Sequence, residues 1–127
     1  MAESPLIAII DDDESIRDAL KSLLRSVGWR VEGFASAEAF LQSGQVHTTA
    51  CLLLDVRLPG VSGLELQRQL RSSQARIPII FITAHGNEAM RAQALQAGAV
   101  AFYAKPFSGT VLLEAIHAAL APDSGGP

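Results

Sequence analysis

The sequence contains a single cysteine, Cys51, so no disulfide can form within the chain. Chains that do without disulfides are typical of reducing compartments, and we expect a cytoplasmic protein. No apolar run approaches the length needed to cross a membrane, and the residues after Met1 do not resemble a signal peptide. These absences argue against a secreted disulfide scaffold and against a membrane anchor.

The sequence also lacks a cluster of basic residues. Ten Lys and Arg against 13 Asp and Glu give a formal net charge of -3. Because direct nucleic-acid binding usually needs a basic patch, we expect none by this chain. The hydrophobic share of 49% and charged share of 18% are typical of a folded globular protein. The length predicts one domain, over residues 1–121, with 122–127 as a flexible tail or the start of a linker.

Four short apolar runs lead into polar residues that could carry chemistry. Runs with little polar alternation are typical of strands buried on both faces of a parallel sheet. Two of these runs lead into carboxylates, at Asp11–Asp13 and at Asp55. The other two lead into the hydroxyl of Thr83 and the ammonium of Lys105. Parallel strands share one carboxyl edge, and ligands bind at that edge in open α/β sheets. We therefore expect these four strand ends to form one site.

Segments with apolar residues at helical spacing separate the predicted strands. The clearest follows Asp13 and predicts a buried face made of Ile16, Leu20, Leu23, Leu24 and Val27. Later segments predict a helix at Glu88–Ala97 and a fifth strand at Val100–Tyr103. Five strands alternating with five helices predict an α/β fold, with a parallel sheet wrapped on both faces. This pattern alone does not fix the strand order.

The predicted cluster of polar groups favours a bound cation and a phosphoryl group. Clustered carboxylates repel one another, and their oxygen atoms are the ligands that Mg²⁺ prefers. A cation beside a lysine suits phosphoryl transfer, and an aspartate can accept the group as an acyl phosphate. Each residue taken alone also fits a structural role: a helix cap, a turn, a strand-end hydroxyl or a solvated lysine.

The chain resembles the receiver domains of response regulators in two-component signalling. The resemblance runs from Leu6 to Leu120 and is carried by IIDDDES, LLLDVRLPGVSG, IIFITAHG and AGAVAFYAKPF. It implies a flavodoxin-like (βα)5 fold with strand order 2-1-3-4-5. SAEAFL, TAHGN and KPF are similar to the FixJ-type branch, whose members usually carry a C-terminal DNA-binding domain. The sequence stops at PDSGGP, so we expect a receiver cut at its linker, with a stand-alone receiver as the alternative.

The resemblance also assigns roles to particular residues. Asp55 is implied to accept a phosphoryl group from a sensor histidine kinase, and Lys105 to contact that group. The switch residues are implied to be Thr83 and Phe102. Mg²⁺ is the implied cofactor, held by Asp11, Asp12, Asp55 and the backbone carbonyl of Arg57. In this interpretation the protein is a phosphoacceptor rather than an enzyme, with only self-phosphorylation and self-dephosphorylation. The family commonly has a cis peptide between Lys105 and Pro106.

A candidate face for a partner is formed by the helix Glu88–Ala97 and the strand Val100–Ala104. This face is rich in alanine and carries Met90, Val100 and Tyr103, so we expect a homodimer through it on phosphorylation. The alternative is that its small residues only allow close packing within one molecule. FixJ-type relatives often have acidic residues at the positions of Ala101 and Ala104. Partner contacts that those relatives make there therefore cannot be carried over to this chain directly.

Two other functional classes fit parts of the pattern. A haloacid-dehalogenase-like phosphatase also uses Mg²⁺ and an aspartate nucleophile, but usually has a second aspartate two residues later, where this chain has Arg57. A non-phosphorylated interaction module would not need the combined set of Asp12, Asp55, Thr83 and Lys105. The receiver interpretation is therefore preferred to both.

Overall fold

The chain alternates strands and helices along the residues that the structure, a computed structural model, describes: 4–84 and 86–121. The strands are β1 (Leu6–Ile10), β2 (Arg30–Phe34), β3 (Thr49–Leu54), β4 (Ile79–Thr83) and β5 (Ala101–Ala104). The helices are α1 (Glu14–Arg25), α2 (Ala37–Gln42), α3 (Gly63–Ser72), α4 (Glu88–Gln96) and α5 (Gly109–Leu120). The predicted tail, 122–127, lies outside the described residues. No helix among the described residues is long and apolar enough to span a bilayer.

The strands form one parallel sheet in the order β2-β1-β3-β4-β5. This confirms the predicted α/β class and the strand order that the family resemblance implied. Every residue of β1 and β4 is buried, as their continuous apolar sequences predicted. Strand β2 lies at an edge of the sheet and exposes Arg30 and Glu32, which explains its alternating sequence.

Two apolar cores lie on opposite faces of the sheet, because alternate strand residues point to opposite sides. On one face, Ile7, Ile9 and Leu53 pack with residues of α1 and α5, among them Leu24 and Ile116. On the other, inward residues of the sheet pack with α2, α3 and α4; this set includes Ile10, Leu54, Phe81, Phe40, Leu66 and Ala94. The two cores make the sheet a rigid support for the loops at its carboxyl edge.

The helices begin at side-chain caps that the sequence partly predicted. Asp13, for which a cap was one of the structural roles considered, accepts hydrogen bonds from backbone N–H groups in the first turn of α1, and Ser36 accepts one in the first turn of α2. Ser62 and Glu65 form a reciprocal capping box at the start of α3. Helix α1 is followed by Gly28, whose φ of 94° is the left-handed conformation expected after a helix end.

Two local predictions from the sequence are wrong. Val27 was expected on the buried face of the first helix, but α1 ends at Arg25 and the Val27 residue is 43% exposed in the following turn. Val100 was expected to begin the fifth strand, but β5 begins at Ala101 and Val100 remains 44% exposed. At Val27 the apolar pattern continues past the end of the helix, and at Val100 it begins before the strand does.

Candidate functional site

A lysine bridges two buried carboxylates at the carboxyl edge of the sheet. Lys105 Nζ donates hydrogen bonds to Asp11 Oδ2 at 2.7 Å and to Asp55 Oδ2 at 3.0 Å. The side chains of Asp11 and Asp55 are each 5% exposed, and that of Lys105 is 14% exposed. Because β4 lies between β3 and β5, the lysine that follows β5 reaches past the end of β4 to contact both aspartates. The predicted convergence of Asp11, Asp55 and Lys105 is therefore observed.

The second oxygen of each carboxylate is held by the main chain. Asp11 Oδ1 accepts a hydrogen bond from the backbone N–H of Asp13 at 2.9 Å. Asp55 Oδ1 accepts one from the backbone N–H of Arg57 at 3.1 Å. The Arg17 guanidinium donates to the Asp11 carbonyl oxygen at 2.7 Å. Each carboxylate is thus fixed between a backbone donor and the Lys105 ammonium.

The three neighbouring aspartates after β1 have different roles. Asp13 caps α1 by accepting from the backbone N–H groups of Ser15 and Ile16. Asp12 is exposed, and its carboxylate lies with those of Asp11 and Asp55 in a group whose nearest oxygen atoms are within 4.8 Å of one another. The helix-cap explanation from the sequence therefore holds for Asp13 but does not account for the other two.

This donor set fits Mg²⁺. The site offers only oxygen ligands, and Mg²⁺ typically takes one or two carboxylates while keeping several waters. Three carboxylates against the single ammonium of Lys105 leave a formal excess of two negative charges (three minus one) among these groups. Arg57 lines the same cleft, as the prediction for its backbone carbonyl requires.

Burial and charge shift two pKa values in the site. Burial raises the pKa of the Asp11 carboxyl above its ordinary value, although the Lys105 ammonium and the Asp13 N–H oppose that change. Burial alone would lower the pKa of Lys105, but its hydrogen bonds and charge contacts with Asp11 and Asp55 outweigh that effect. The pKa of Lys105 is therefore raised, and the side chain is held as a cation.

The two predicted switch residues lie together beside the site. Thr83 is the last residue of β4 and is buried. Phe102 on β5 pairs with Phe81, with ring centroids 5.7 Å apart, and lines the same cleft as Thr83. A methyl group added at Gly86 would lie 2.7 Å from the Phe102 ring and 2.9 Å from the Thr83 methyl group. Gly86 is therefore needed for close approach of the loop to both side chains. The Lys105–Pro106 peptide is cis, as expected.

Sequence reasoning missed three residues that position the site. Arg17 was not connected with Asp11, and Glu38 was not connected with the loop that follows Asp55. Gly63 was given no role of its own, but a methyl group there would overlap the Asp55 carbonyl oxygen. The Ser62 cap next to it was a usable signal that α3 starts directly against the end of β3. The contacts of Arg17 and Glu38 depend on tertiary structure and have no local signal.

The site thus belongs to an open parallel α/β domain in which a lysine bridges two aspartates at the carboxyl edge of the sheet. The sequence profile of the response regulator receiver domain matches residues 7–117, and the chain belongs to that family. This confirms the family inferred from the motifs and supports a role in two-component phospho-signalling.

Individual relatives agree with the family assignment. The response regulator protein TodT of Pseudomonas putida is 50% identical over 115 residues, which cover 91% of this chain and 51% of TodT. A structure of the response regulator StyR is 47% identical with a TM-score of 0.85, covering 92% of this chain and 59% of that chain. The crystal structure of FixJ-N is 40% identical with a TM-score of 0.83, and the match covers 94% of this chain and 95% of the FixJ-N chain. The FixJ-type resemblance is thus confirmed, and the chain spans about half the length of its curated relatives.

Proposed function

We propose that this chain is a phosphorylation-activated switch whose Asp55 accepts a phosphoryl group from a sensor histidine kinase. The observation that carries the proposal is the Lys105 ammonium held between the carboxylates of Asp11 and Asp55 at 2.7 and 3.0 Å. A fixed cation beside a rigidly placed carboxylate is suited to the charge of a transferring phosphoryl group.

In the proposed transfer, a carboxylate oxygen of Asp55 attacks the phosphorus of the kinase phosphohistidine. The new P–O bond forms as the P–N bond breaks, and the electron pair of the P–N bond returns to the imidazole nitrogen, which takes up a proton. The product is an acyl phosphate on Asp55. Lys105 then exchanges its contact with Asp55 Oδ2 for a contact with a phosphoryl oxygen. Arg57 N–H keeps the carboxyl group oriented through its 3.1 Å hydrogen bond.

Mg²⁺ would be held by Asp11, Asp12, Asp55 and the backbone carbonyl of Arg57. When bound, it would neutralise charge on the transferring phosphoryl oxygens. The chain's own contribution is to aim the carboxylates. Asp11 is fixed by Asp13 N–H and by Lys105, while the exposed Asp12 is free to turn toward an ion at the mouth of the cleft.

The proposed output begins at Thr83. A phosphoryl oxygen on Asp55 would accept a hydrogen bond from the Thr83 hydroxyl, drawing Thr83 toward the site. Phe102 packs against the same loop residue, Gly86, so it would move into the space that Thr83 leaves. That movement would change the face formed by α4 and β5, where Val100 is 44% exposed. We propose that this face controls homodimer formation.

The output itself is proposed to belong to another part of a longer protein. The chain covers about half the length of relatives such as TodT. We therefore propose that it is the receiver part of a cytoplasmic transcriptional regulator whose DNA-binding domain carries the response. In this proposal the chain itself contacts neither nucleic acid nor membrane, and it catalyses nothing beyond its own phosphorylation and dephosphorylation.

Intact mass spectrometry tests the phosphoacceptor assignment. After incubation with Mg²⁺ and acetyl phosphate, the chain should gain the mass of one phosphoryl group, and Asp55→Asn should gain none. Phosphorylation of Asp55→Asn to the wild-type extent would refute the assignment. Continuous hydrolysis of small phosphate esters, with many turnovers per molecule, would instead favour the phosphatase class.

Sedimentation velocity tests the proposed dimer. Beryllofluoride with Mg²⁺ mimics the phosphoryl group and should shift the chain from monomer toward dimer, because the mimic has a higher affinity for the dimer-competent state. Thr83→Ala and Val100→Glu should each reduce that shift, the first by uncoupling the switch and the second by placing a charge in the face. A dimer of equal strength without the mimic, or one insensitive to both substitutions, would contradict this mechanism.

A further inference from the structure

A carboxylate from α2 holds the loop that follows the phosphoacceptor candidate Asp55. Glu38 Oε2 accepts a hydrogen bond from the backbone N–H of Val61 at 3.1 Å, across 23 residues of sequence. The same carboxylate lies directly over Gly60, where an added methyl group would overlap Oε2. Gly60 has a φ of 74°, so the backbone turns there in a conformation that favours glycine. The loop is therefore shaped to receive the Glu38 side chain.

This loop, residues 56–62, carries the groups that surround Asp55. Arg57 N–H is hydrogen-bonded to Asp55 Oδ1, and the Arg57 carbonyl belongs to the same peptide segment. The loop ends at Ser62, which caps α3, and Gly63 N–H donates to the Val56 carbonyl at 2.9 Å. With both ends closed by hydrogen bonds, the orientation of the peptides between them depends on what contacts the middle of the loop.

Apolar packing does not fix that orientation. The side chains of Leu58 and Val61 are partly buried against the core beneath the loop, but hydrophobic contacts are not directional. On its α4 side the loop borders an open cleft of about 380 Å³, lined in part by Leu58, Leu64 and Met90. A hydrogen bond, by contrast, fixes the direction of a peptide group. Glu38 supplies such a bond at Val61, four residues beyond Arg57.

We propose that Glu38 is a positioning residue for the metal site, because its hydrogen bond to Val61 holds the Asp55 loop in the orientation that presents the Arg57 carbonyl. This inference rests on the proposed function for the identity of the ion, but the loop contact itself does not. Groups that orient metal ligands typically change metal affinity by about 10- to 100-fold when removed. Because Glu38 acts through the loop rather than on a ligand directly, we expect about a tenfold loss.

Two substitutions separate the hydrogen bond from the charge. Glu38→Ala removes both the acceptor and the negative charge, whereas Glu38→Gln removes the charge and keeps an oxygen that can accept from Val61 N–H. Glu65→Ala is the matched control, because Glu65 Oε1 accepts from the next backbone N–H, that of Ser62, at 3.1 Å. This control also removes one charge and one loop-end hydrogen bond, but at the helix cap.

The experiment measures Mg²⁺ affinity and loop protection by amide NMR. In a Mg²⁺ titration, Glu38→Ala should bind about tenfold more weakly than wild type, with Glu38→Gln and Glu65→Ala within about twofold. In metal-free protein, hydrogen exchange of the Val61 amide should accelerate in Glu38→Ala alone, and the Arg57 amide signal should shift.

Three outcomes would overturn the inference: wild-type Mg²⁺ affinity in Glu38→Ala, no rescue by Glu38→Gln, or an equal loss in Glu65→Ala. If wild-type protein itself bound no Mg²⁺, the proposed function would fail. The metal-free exchange of Val61 and the Arg57 signal would still decide whether Glu38 holds the loop. The two failures are therefore distinguishable.

Discussion

Replacement of Lys105 by methionine tests how much the Lys105 ammonium stabilises the two buried carboxylates beside it. Lys105→Met removes the ammonium while keeping a long, unbranched side chain. It leaves the carboxylates of Asp11 and Asp55, each 5% exposed, without the cation that lies 2.7 and 3.0 Å from them. The folded state then carries uncompensated buried charge, so the free energy of unfolding should fall.

The size of that loss has an upper limit set by protonation. A unit charge pair at close range is worth ~4 kcal/mol at an effective dielectric constant of about 20. The ordinary pKa of an aspartate is 3.8, about three units below pH 7. Taking up one proton at pH 7 therefore costs roughly 4 kcal/mol at ~1.36 kcal/mol per unit, which caps the loss. Solvent reaches the site, so we expect a loss of about 2–3 kcal/mol.

The pH dependence has a definite sign. In the wild type the raised pKa of Lys105 contributes stability that is present below the ordinary value of 10.5 and lost as pH rises through the folded-state pKa. In Lys105→Met the Asp11 carboxyl loses the ammonium that opposes the effect of burial, so its already raised pKa should rise further. A raised carboxyl pKa destabilises the fold at pH 7, and that effect disappears as pH falls toward the ordinary value.

Urea unfolding at pH 7 and pH 4, with and without Mg²⁺, measures these differences. The loss in free energy of unfolding caused by Lys105→Met should be smaller at pH 4. It should also be smaller at pH 7 when Mg²⁺ supplies the missing positive charge. Lys21→Met, at the only other lysine of the chain, is the control and should cost less than about 1 kcal/mol. A deficit that is the same at both pH values and indifferent to Mg²⁺ would refute the electrostatic account.

Two further substitutions test the support around the site. Gly63→Ala places a methyl group against the Asp55 carbonyl oxygen, so urea unfolding should reveal a loss of about 2–3 kcal/mol and acetyl phosphate should phosphorylate the variant more slowly. Phe40→Ala empties a fully buried position in the core and should cost about 3–5 kcal/mol in the same assay. It should leave the phosphorylated fraction at saturation unchanged by intact mass, because Phe40 packs among apolar core residues, whereas the site is built from Lys105 and its two carboxylates.

The buried strands and the shared carboxyl edge of the sheet could be predicted from the local sequence. Continuous apolar runs predicted the buried strands, because burial on both faces of a sheet requires apolar side chains in both directions. Strand-end polar residues predicted a shared edge, because parallel strands end on the same side. The strand order had no such signal and came from family resemblance. It decides that Lys105 must reach past β4 to contact Asp11 and Asp55.

The contacts that hold the site in place could not be predicted in the same way. Glu38 and Val61, for example, are 23 residues apart in sequence and meet only through the geometry of the folded chain. Periodicity also overestimated the core at Val27, because the helix ends before the apolar pattern does. Such positions are set by where the backbone turns, which composition specifies only weakly.

The secondary structure of helix α4 was predictable from its sequence, but the contacts that position it were not. Its alanine-rich sequence predicted a helix, but among its residues only Ala94 is buried, so apolar packing contributes little to its position. Two hydrogen bonds from α3 hold it instead: Gln67 donates to the Ala94 carbonyl at 3.0 Å and Arg71 to the Ala97 carbonyl, just after the helix, at 3.2 Å. Elements with few buried apolar contacts have low local stability and move at low cost. In the proposed switch, phosphorylation would therefore move α4 more readily than α1 or α5, whose buried leucine and isoleucine side chains form part of the opposite core.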